Sequence, residues 1–314
     1  MSTLLERALQ MDNLRLAWEE VAENEGSAGV DRISLRVWRR TWEERLVNLA
    51  RLVRANTYKP KRLRLRRIPK RNRREKRILR IPTVTDRVLQ RAVLQVLYPV
   101  LEPRFANCSY GYRPRRGLKQ AVQQIIVLRE NDYGWLLDAD IDAFFDNVNH
   151  EVLISFLRCD LPDTSLFPLI AGWLELSRSD LKPGMHSKPG SVPKGIPLGS
   201  PLSPMWANVY LHRLDQAILQ RGWPMVRYAD DFVVFASSSE EAQTIYTEVE
   251  AILASLLLRY EPSKTRLASF EEGFDFIGVH FEGDEYSYTY LDKEIKVSGD
   301  QVDMLFSQYG PDYW

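Results

Sequence analysis

The sequence has only two cysteines among its 314 residues, Cys108 and Cys159, and neither has neighbours at metal-ligand spacing. We therefore expect reduced thiols in a cytoplasmic protein and neither a disulfide framework nor a cysteine-based zinc site. Long apolar runs are also missing, and Glu6 already places a charge in the first six residues, so we expect no secretory signal and no membrane span. With 45% hydrophobic and 27% charged residues, the chain can bury one large core or two smaller ones.

The net charge of +1 conceals an uneven distribution along the chain. Residues 51–80 hold 15 lysines and arginines and a single acid, Glu75, which leaves 28 basic and 41 acidic residues elsewhere. A run this basic is typical of a solvated face that binds polyanions. Because the apolar stripe of an interfacial helix is missing, the expected partner is nucleic acid and not a membrane.

Two adjacent carboxylates, Asp230 and Asp231, lie between two apolar runs. Val226 and the run from Phe232 to Phe235 predict short buried strands joined by a turn at the carboxylates. Carboxylates at the tip of an apolar hairpin are costly unless they are paired or bound to metal. On these residues alone, a divalent-metal site for phosphoryl transfer and an ordinary hairpin with an acidic turn are equally open.

A second apolar run carries Asp138, Asp140 and Asp142 in alternation, so on a strand they would share one face. Two strands that each present aspartates could place three carboxylates around two Mg²⁺ ions roughly 4 Å apart, the arrangement that joins a 3′-hydroxyl to a nucleoside triphosphate. For Asp138 and Asp142 we expect solvation at a strand end. Asp140 is the better ligand candidate, although chemistry alone does not select it.

The stretch Tyr228-Ala229-Asp230-Asp231 resembles the YADD box of reverse transcriptases, and Asp138 to Asp146 resembles their first catalytic block. Further blocks follow in the family's order over about residues 29–281, with most likeness to the bacterial group II intron type. The resemblance implies an α/β (α+β) fold: a right-hand polymerase with fingers and a palm, the antiparallel palm sheet being backed by helices.

The resemblance also implies the metal ligands and the nucleotide-binding residues. Two Mg²⁺ ions, with Mn²⁺ as the alternative, would be bound by Asp140, Ile141, Asp230 and Asp231. The residues implied in nucleotide binding are Lys70, Arg77, Arg113, Phe145, Leu198, Gly199 and Lys264. Phe145 matches the aromatic steric gate that favours dNTPs over rNTPs. Leu198 departs from the family's usual glutamine, which is expected to affect fidelity and nucleotide selection but not the metal chemistry.

Nucleic-acid contacts are implied for the basic hairpin, for the block around Tyr110, and for two glycine- or tyrosine-marked turns. The residues are Arg64, Arg66, Arg67, Arg71, Arg73, Arg74, Tyr110, Arg115, Arg116, Tyr228 and Gly278. Arginine forks suit phosphate oxygens, and aromatic rings interleaved with arginines suit stacking on bases. For the hairpin arginines, simple solvation is the equal alternative.

Four regions are predicted. They are an N-terminal helical extension at 1–57, with helices over 3–22 and 36–55; fingers at 58–134, with the basic hairpin at 58–82; a palm at 135–281; and a tail at 282–314 without a recognisable thumb. Thr85 is the predicted N-cap of the helix that follows the hairpin. A group II type enzyme would continue with a long helical thumb, so either the chain is a piece of a longer protein or a protein or RNA partner supplies the grip on the duplex.

The implied function is RNA-directed DNA polymerisation from an RNA template, a DNA or RNA primer and dNTPs. One alternative keeps the chemistry in a defence system, as spacer acquisition from RNA in CRISPR or as untemplated synthesis. The other is a non-catalytic nucleic-acid scaffold. The presence of Asp140, Asp230 and Asp231 argues against the scaffold, because an inactive palm has no need for buried carboxylates.

Overall fold

The computed structural model describes residues 2–69, 76–178, 192–290 and 293–298. The chain divides into two compact units, residues 1–104 with 145–209 and residues 105–144 with 210–314. We call these the first and second units. Within the described residues, no helix is both long and apolar enough to cross a membrane. The predicted division into fingers and palm at residue 135 stays a prediction.

The elements are numbered in chain order. The helices are α1 Leu4–Ala8, α2 Met11–Glu23, α3 Leu35–Arg40, α4 Trp42–Arg54, α5 Val84–Leu101, α6 Leu118–Glu130, α7 Phe144–Asn147, α8 His150–Asp160, α9 Phe167–Ser177, α10 Ser203–Leu219 and α11 Ser239–Ser255. The strands are β1 Arg64–Pro69, β2 Lys76–Ile81, β3 Trp135–Ala139, β4 Met225–Tyr228, β5 Asp231–Ala236, β6 Arg266–Ser269, β7 Phe274–Phe276, β8 Val279–Glu282, β9 Glu285–Tyr290 and β10 Lys293–Ser298.

The first unit is built on α5, which is buried along most of its length and contacts α1 and α2. Its N-cap is Thr83, whose Oγ1 accepts a hydrogen bond from Asp86 N at 3.1 Å. The prediction of Thr85 as the cap was therefore wrong by two residues. Thr83 directly follows Pro82 in extended conformation, and its hydroxyl reaches the third residue on, as a capping side chain must.

The two predicted helices of the N-terminal extension are each broken once. The first is interrupted at Gln10, which is extended, and the second at Thr41. In a continuous helix Leu9 would point about 140° away from Leu4. The break lets Leu4, Leu9 and Leu14 all be buried, and Asn13 Nδ2 bridges the corner by donating to two backbone carbonyls. Apolar spacing alone did not show this, because Leu9 lies off the regular stripe.

The predicted basic hairpin is confirmed: β1 and β2 pair antiparallel, from Arg64 opposite Ile81 to Pro69 opposite Lys76. Next to it, Arg80 N donates to the carbonyl of Leu198 at 2.8 Å. The base of the hairpin is thereby fixed to the loop that precedes α10.

The second unit contains a four-stranded antiparallel sheet in the order β4-β5-β3-β6. Helix α11 packs on β3, β5 and β6, and α6 packs on β4. Leu136, Val226, Val233 and Phe235 are among the fully buried strand residues of its core. A sheet of apolar antiparallel strands covered by helices confirms the predicted fold class.

A second four-stranded antiparallel sheet, in the order β10-β9-β8-β7, follows in the same unit. Phe276 pairs with Val279 across a two-residue turn, in which Ile277 has φ +48° and Gly278 has φ +84°. Two successive residues with positive φ give the turn type that matches strand twist, and glycine supplies the second at no steric cost. Phe274 and Phe281 stack at 5.0 Å, which ties this sheet into the core of the unit.

Candidate catalytic site

The two adjacent carboxylates lie where β4 turns into β5, as predicted: Asp230 in the turn and Asp231 as the first residue of β5. Tyr228 pairs with Asp231, so Ala229 and Asp230 form a two-residue connection. Ala229 has φ +61°, a left-handed conformation that costs about 1–2 kcal/mol for a residue with a side chain. Surrounding structure must hold the turn in this conformation, and that support determines where Asp230 and Asp231 point.

Asp140 reaches the same end of the sheet from the central strand. β3 pairs with β5 up to Ala139 opposite Phe232, so Asp140 follows the last paired residue of β3 while Asp231 precedes Phe232 on β5. Its backbone leaves the sheet at this point, because its carbonyl accepts from Glu261 N at 2.8 Å. Neighbouring antiparallel strands therefore deliver the carboxylates to one edge.

The expectation that Asp138, Asp140 and Asp142 alternate on one strand was wrong. β3 ends at Ala139, and the next residues pair with the segment around Tyr260. Asp138 and Asp142 are also not simply solvated at a strand end, because each is paired with an arginine. Asp142 Oδ2 lies 2.5 Å from Arg259, and Asp138 Oδ2 lies 3.5 Å from Arg266. Burial raises the pKa of Asp138 to about 6, although Arg266 opposes that rise.

The charged side chains at this edge of the sheet shift one another's pKa values. Lys264 Nζ lies 2.5 Å from Asp140 Oδ2, and this hydrogen bond raises the pKa of Lys264. Asp231 keeps access to solvent, but protein atoms crowd its carboxyl. That desolvation, together with the negative charges of Asp230 and Asp140, raises the pKa of Asp231 to about 7. The edge therefore carries more negative charge than the neighbouring protein groups compensate.

The donor chemistry fits a hard divalent cation. Asp140, Asp230 and Asp231 offer only carboxylate oxygens, which Mg²⁺ and Mn²⁺ prefer, and a cation would offset the charge that raises the pKa of Asp231. Among the described residues, no three His, Cys, Asp or Glu side chains are grouped as a finished metal site. In the present arrangement, Lys264 lies against Asp140.

The loop before α6, which carries predicted template contacts, is held largely by its own arginines. The Arg113 guanidinium is buried and donates to the carbonyls of Ala106 at 2.6 Å and Ser109 at 2.9 Å. Arg116 donates to Asn107 and lies over the ring of Tyr110, which is itself buried. Arg115 is exposed. This stabilising function of Arg113 and Arg116 was not anticipated from the sequence.

The first unit carries the other predicted nucleotide-binding residues. Phe145 is half-buried, and its carbonyl accepts from Ile196 N at 2.7 Å. Gly199 has φ +114°, and a Cβ there would lie 3.2 Å from the carbonyl oxygen of Arg80. Arg80 also contacts Asp146 at 2.8 Å. The hairpin base, the predicted gate segment and the 195–199 loop are thus joined by hydrogen bonds and one ion pair.

Among the hairpin residues, Arg64, Arg66 and Arg67 lie exposed on β1. Arg64 donates to the carbonyl of Ala28 at 3.0 Å, which attaches the strand to the glycine-marked loop of the N-terminal extension. The predicted contacts at Lys70, Arg71, Arg73 and Arg74, and the side chain of Arg77, lie outside the described residues.

Sequence reasoning missed two residues beside the carboxylates, Arg227 and Asp215. Both side chains are fully buried and form an ion pair at 2.6 Å. The available signal was the position of Arg227 inside a short apolar strand, where a charged group requires a buried partner. The partner itself, on a helix 12 residues earlier, could not be identified from periodicity.

Three comparisons with known proteins bear on this chain. The sequence profile described as reverse transcriptase (RNA-dependent DNA polymerase) matches residues 68–281. Protein YkfC of Escherichia coli (strain K12) is 29% identical over 242 residues, which cover 64% of this chain and 62% of YkfC. The group II intron-encoded protein LtrA of Lactococcus lactis subsp. cremoris is 30% identical over 239 residues, which cover 72% of this chain and 38% of LtrA. The chain thus spans less than two thirds of either relative.

A solved structure of telomerase from Candida albicans, in complex with a fragment of telomeric RNA, matches with a TM-score of 0.50. The match covers 79% of this chain and 48% of that chain at 13% identity. A likeness at this identity concerns the fold alone, and it agrees with the predicted polymerase fold.

Proposed function

This chain belongs to the reverse transcriptase (RNA-dependent DNA polymerase) family, and we propose that it extends the 3′-hydroxyl of a DNA or RNA primer with dNTPs on an RNA template. The observation that supports this proposal is the convergence of Asp140, Asp230 and Asp231 at one end of two neighbouring strands. Burial, and after it the negative charges of Asp230 and Asp140, raise the pKa of Asp231, as expected where these carboxylates lie close together. Stability does not require such a cluster, because like charges at one edge destabilise a fold.

Reverse transcriptases use divalent metal cations, and we propose two Mg²⁺ ions here, with Mn²⁺ as the alternative. Asp140, Asp230 and Asp231 would hold them through carboxylate oxygens, and Ile141 through its carbonyl. Bound cations of this kind lower the pKa of the primer hydroxyl and stabilise charge on the leaving pyrophosphate. The remaining contribution of the protein is positioning and fixed charge, including the ammonium group of Lys264 beside Asp140.

We propose that the dNTP is contacted by Lys70, Arg77, Phe145, Leu198, Gly199 and Lys264. Phe145 would exclude a 2′-hydroxyl. We assign Arg113 to holding its own loop, because its guanidinium is occupied by backbone carbonyls. The exposed arginines Arg64, Arg66 and Arg67 and the exposed Arg115 are the proposed contacts for nucleic-acid backbone.

Two further parts of the proposal concern the setting of the reaction. The grip on the duplex that a thumb gives in group II type enzymes would come either from a further segment of a longer protein or from a protein or RNA partner. The compartment we propose is the cytoplasm, which supplies dNTPs and keeps free thiols such as Cys108 reduced.

The test is primer extension on an RNA template with Mg²⁺ and the four dNTPs. We expect extension by the wild-type chain and none by Asp230→Ala with Asp231→Ala. RNA binding and the unfolding temperature of that variant should stay close to wild type, because the carboxylates lie in a turn that has partial access to solvent.

Asp142→Asn is the matched control. It removes one carboxylate charge two residues beyond Asp140, from a side chain that is paired with Arg259 and lies outside the predicted metal site. Activity should survive in this variant. Loss of the fold in the double alanine variant would contradict a metal role for the two carboxylates. No extension by the wild type, despite salt-sensitive RNA binding and addition of candidate partners, would favour the scaffold alternative.

A further inference from the structure

Arg227 and Asp215 form an ion pair at the centre of the second unit. Arg227 Nε donates to Asp215 Oδ1 and Arg227 Nη2 donates to Asp215 Oδ2, both at 2.6 Å. Both side chains are 0% exposed. Arg227 belongs to β4 and is separated from the turn residue Ala229 only by Tyr228, whereas Asp215 belongs to α10. The geometry is a two-point fork between a helix and the strand that leads into the carboxylates.

Fold stability alone gives a weak reason for such a pair. Removing two charges from water costs several kcal/mol per ion, and their mutual attraction often does no more than offset that cost. Apolar residues of similar volume commonly serve as well or better at such positions. The position of this pair, one residue from a strained turn, suggests a local role.

A third hydrogen bond of the Arg227 guanidinium indicates what that local role is. Arg227 Nη1 donates to the carbonyl of Ala229 at 2.8 Å. Ala229 has the left-handed φ of +61°, and its carbonyl belongs to the peptide that leads into Asp230. A guanidinium can hold a carboxylate with two nitrogens and still donate from the third, which an ammonium group does less well because it lacks a fixed fork. Asp215 therefore orients Arg227, and Arg227 orients the Ala229–Asp230 peptide.

The backbone of Arg227 is itself fixed to a neighbouring segment. Arg227 N donates to the carbonyl of Cys108, and Tyr110 N donates to the carbonyl of Arg227, both at 2.8 Å. A Cβ on Gly111 would lie 2.4 Å from Ala229 N, a distance that no packing adjustment between two backbone segments accommodates. The turn thus lies between the Cys108–Gly111 segment and the buried guanidinium.

We propose that Asp215 and Arg227 are positioning residues for Asp230 and Asp231: Asp215 fixes the guanidinium, and the guanidinium fixes the Ala229 carbonyl that sets the direction of the carboxylates. This inference rests on the proposed polymerase function. Neither residue touches substrate in this assignment. Both act through the conformation of the turn.

The test uses a double variant, Arg227→Met with Asp215→Leu, which removes both charges and keeps the buried volume. Because it leaves no unpaired buried charge, we expect it to fold with an unfolding temperature near that of the wild type. kcat for primer extension should fall about 10- to 100-fold, as for a displacement of catalytic groups by about 1 Å, while KM for dNTP changes less than about threefold. Backbone amide hydrogen exchange should become faster in peptides covering Tyr228 to Phe232, but not in α11.

Tyr210→Phe is the matched control, because it removes another buried hydrogen bond from α10, the 2.8 Å bond of Tyr210 Oη to the Leu256 carbonyl. It should lower the unfolding temperature and leave kcat unchanged. Arg227→Lys in the presence of Asp215 should recover part of the kcat lost in the double variant.

Wild-type kcat and unchanged exchange in the double variant would overturn the inference and leave the polymerase function standing. An inactive wild-type chain would instead contradict the polymerase function. In that case the rate of backbone amide hydrogen exchange in the turn still decides whether the Asp215–Arg227 ion pair holds the turn in place.

Discussion

A single backbone hydrogen bond, from Arg80 N to the carbonyl of Leu198, fixes the chain at the position where the family resemblance implies glutamine and this sequence has leucine. The Leu198 side chain is half-buried. Because the bond uses the backbone carbonyl, this side chain can be exchanged without moving the backbone. We predict that Leu198→Gln lowers KM for dNTP about 2- to 10-fold, the effect of one added hydrogen bond of ~0.5–1.5 kcal/mol, with little change in kcat. Steady-state primer extension with one dNTP varied measures this.

Leu198→Met is the control, since it keeps an apolar side chain of similar volume and should leave KM within about twofold of wild type. Equal KM values for the glutamine and methionine variants would show that this side chain does not contact the nucleotide.

Sequence reasoning brought forward Asp140, Asp230 and Asp231 as candidate ligands because carboxylates inside apolar runs are costly, and the family resemblance then selected Asp140 among the aspartates of its run. Their role as metal ligands stays a prediction. Sequence reasoning did not identify the Lys264–Asp140 contact, which joins residues 124 positions apart. Nor did it identify the arginine partners of Asp138 and Asp142. Charge partners across a sheet depend on strand register and on where a strand ends, and neither is encoded in the local pattern.

Helix α1 is short, and its attachment depends on one carboxylate. Asp163 Oδ2 accepts from Leu4 N at 2.8 Å, and Asp163 Oδ1 accepts from Ser165 N at 2.9 Å. Slight burial raises the pKa of Asp163, but the hydrogen bonds from Ser165 and Leu4 outweigh it, so the net pKa lies below the usual 3.8. The first turn of α1 thus has a side-chain acceptor for its otherwise unpaired N–H group.

We predict that Asp163→Asn lowers the free energy of unfolding by about 1 kcal/mol at pH 7. Since the pKa is depressed in the folded state, the contribution of Asp163 is present above its unfolded pKa and is lost as pH falls through the folded pKa. The difference in free energy of unfolding between wild type and variant should therefore become smaller below about pH 4. Urea unfolding at pH 7 and near pH 3 tests this.

Asp132→Asn serves as the comparison, because it removes the same charge at an exposed turn. If the difference in free energy of unfolding between wild type and Asp163→Asn stays constant with pH, the charge of Asp163 does not hold α1.

Elements with a strong local pattern were predicted well. The β4–β5 hairpin and the β1–β2 hairpin are both confirmed. Each has its partner within a few residues, so sequence spacing carries the information. The breaks at Gln10 and Thr41 and the early end of β3 were missed, because they arise from packing against distant segments.

The concentration of positive charge in residues 51–80 determines how the whole protein should respond to salt. Phosphate contacts by lysine and arginine release counterions, so the logarithm of RNA affinity should fall linearly with the logarithm of salt concentration. We predict that Arg66→Ala with Arg67→Ala reduces the magnitude of that slope by about 1 to 1.5, since each lost contact with single-stranded RNA contributes ~0.7. Filter binding or fluorescence anisotropy at several salt concentrations measures the slope.

Arg213→Ala with Arg221→Ala removes the same number of charges, one from α10 and one from the turn that follows it, and should leave the slope unchanged. Equal slopes for all three proteins would place the RNA contacts outside β1. The defence-associated task considered for this chain stays a prediction.

The central place of β3 in its sheet has a consequence for how the protein is made. β3 lies between β5 and β6, and its partners follow it in the chain by roughly a hundred residues or more. At translation rates of about 5–20 residues per second, the apolar strand waits on the ribosome for about 5–20 s before β5 exists. The β4–β5 hairpin, by contrast, closes as soon as it emerges. Yield in a heterologous host should therefore depend on translation speed and on chaperones that shield the nascent chain.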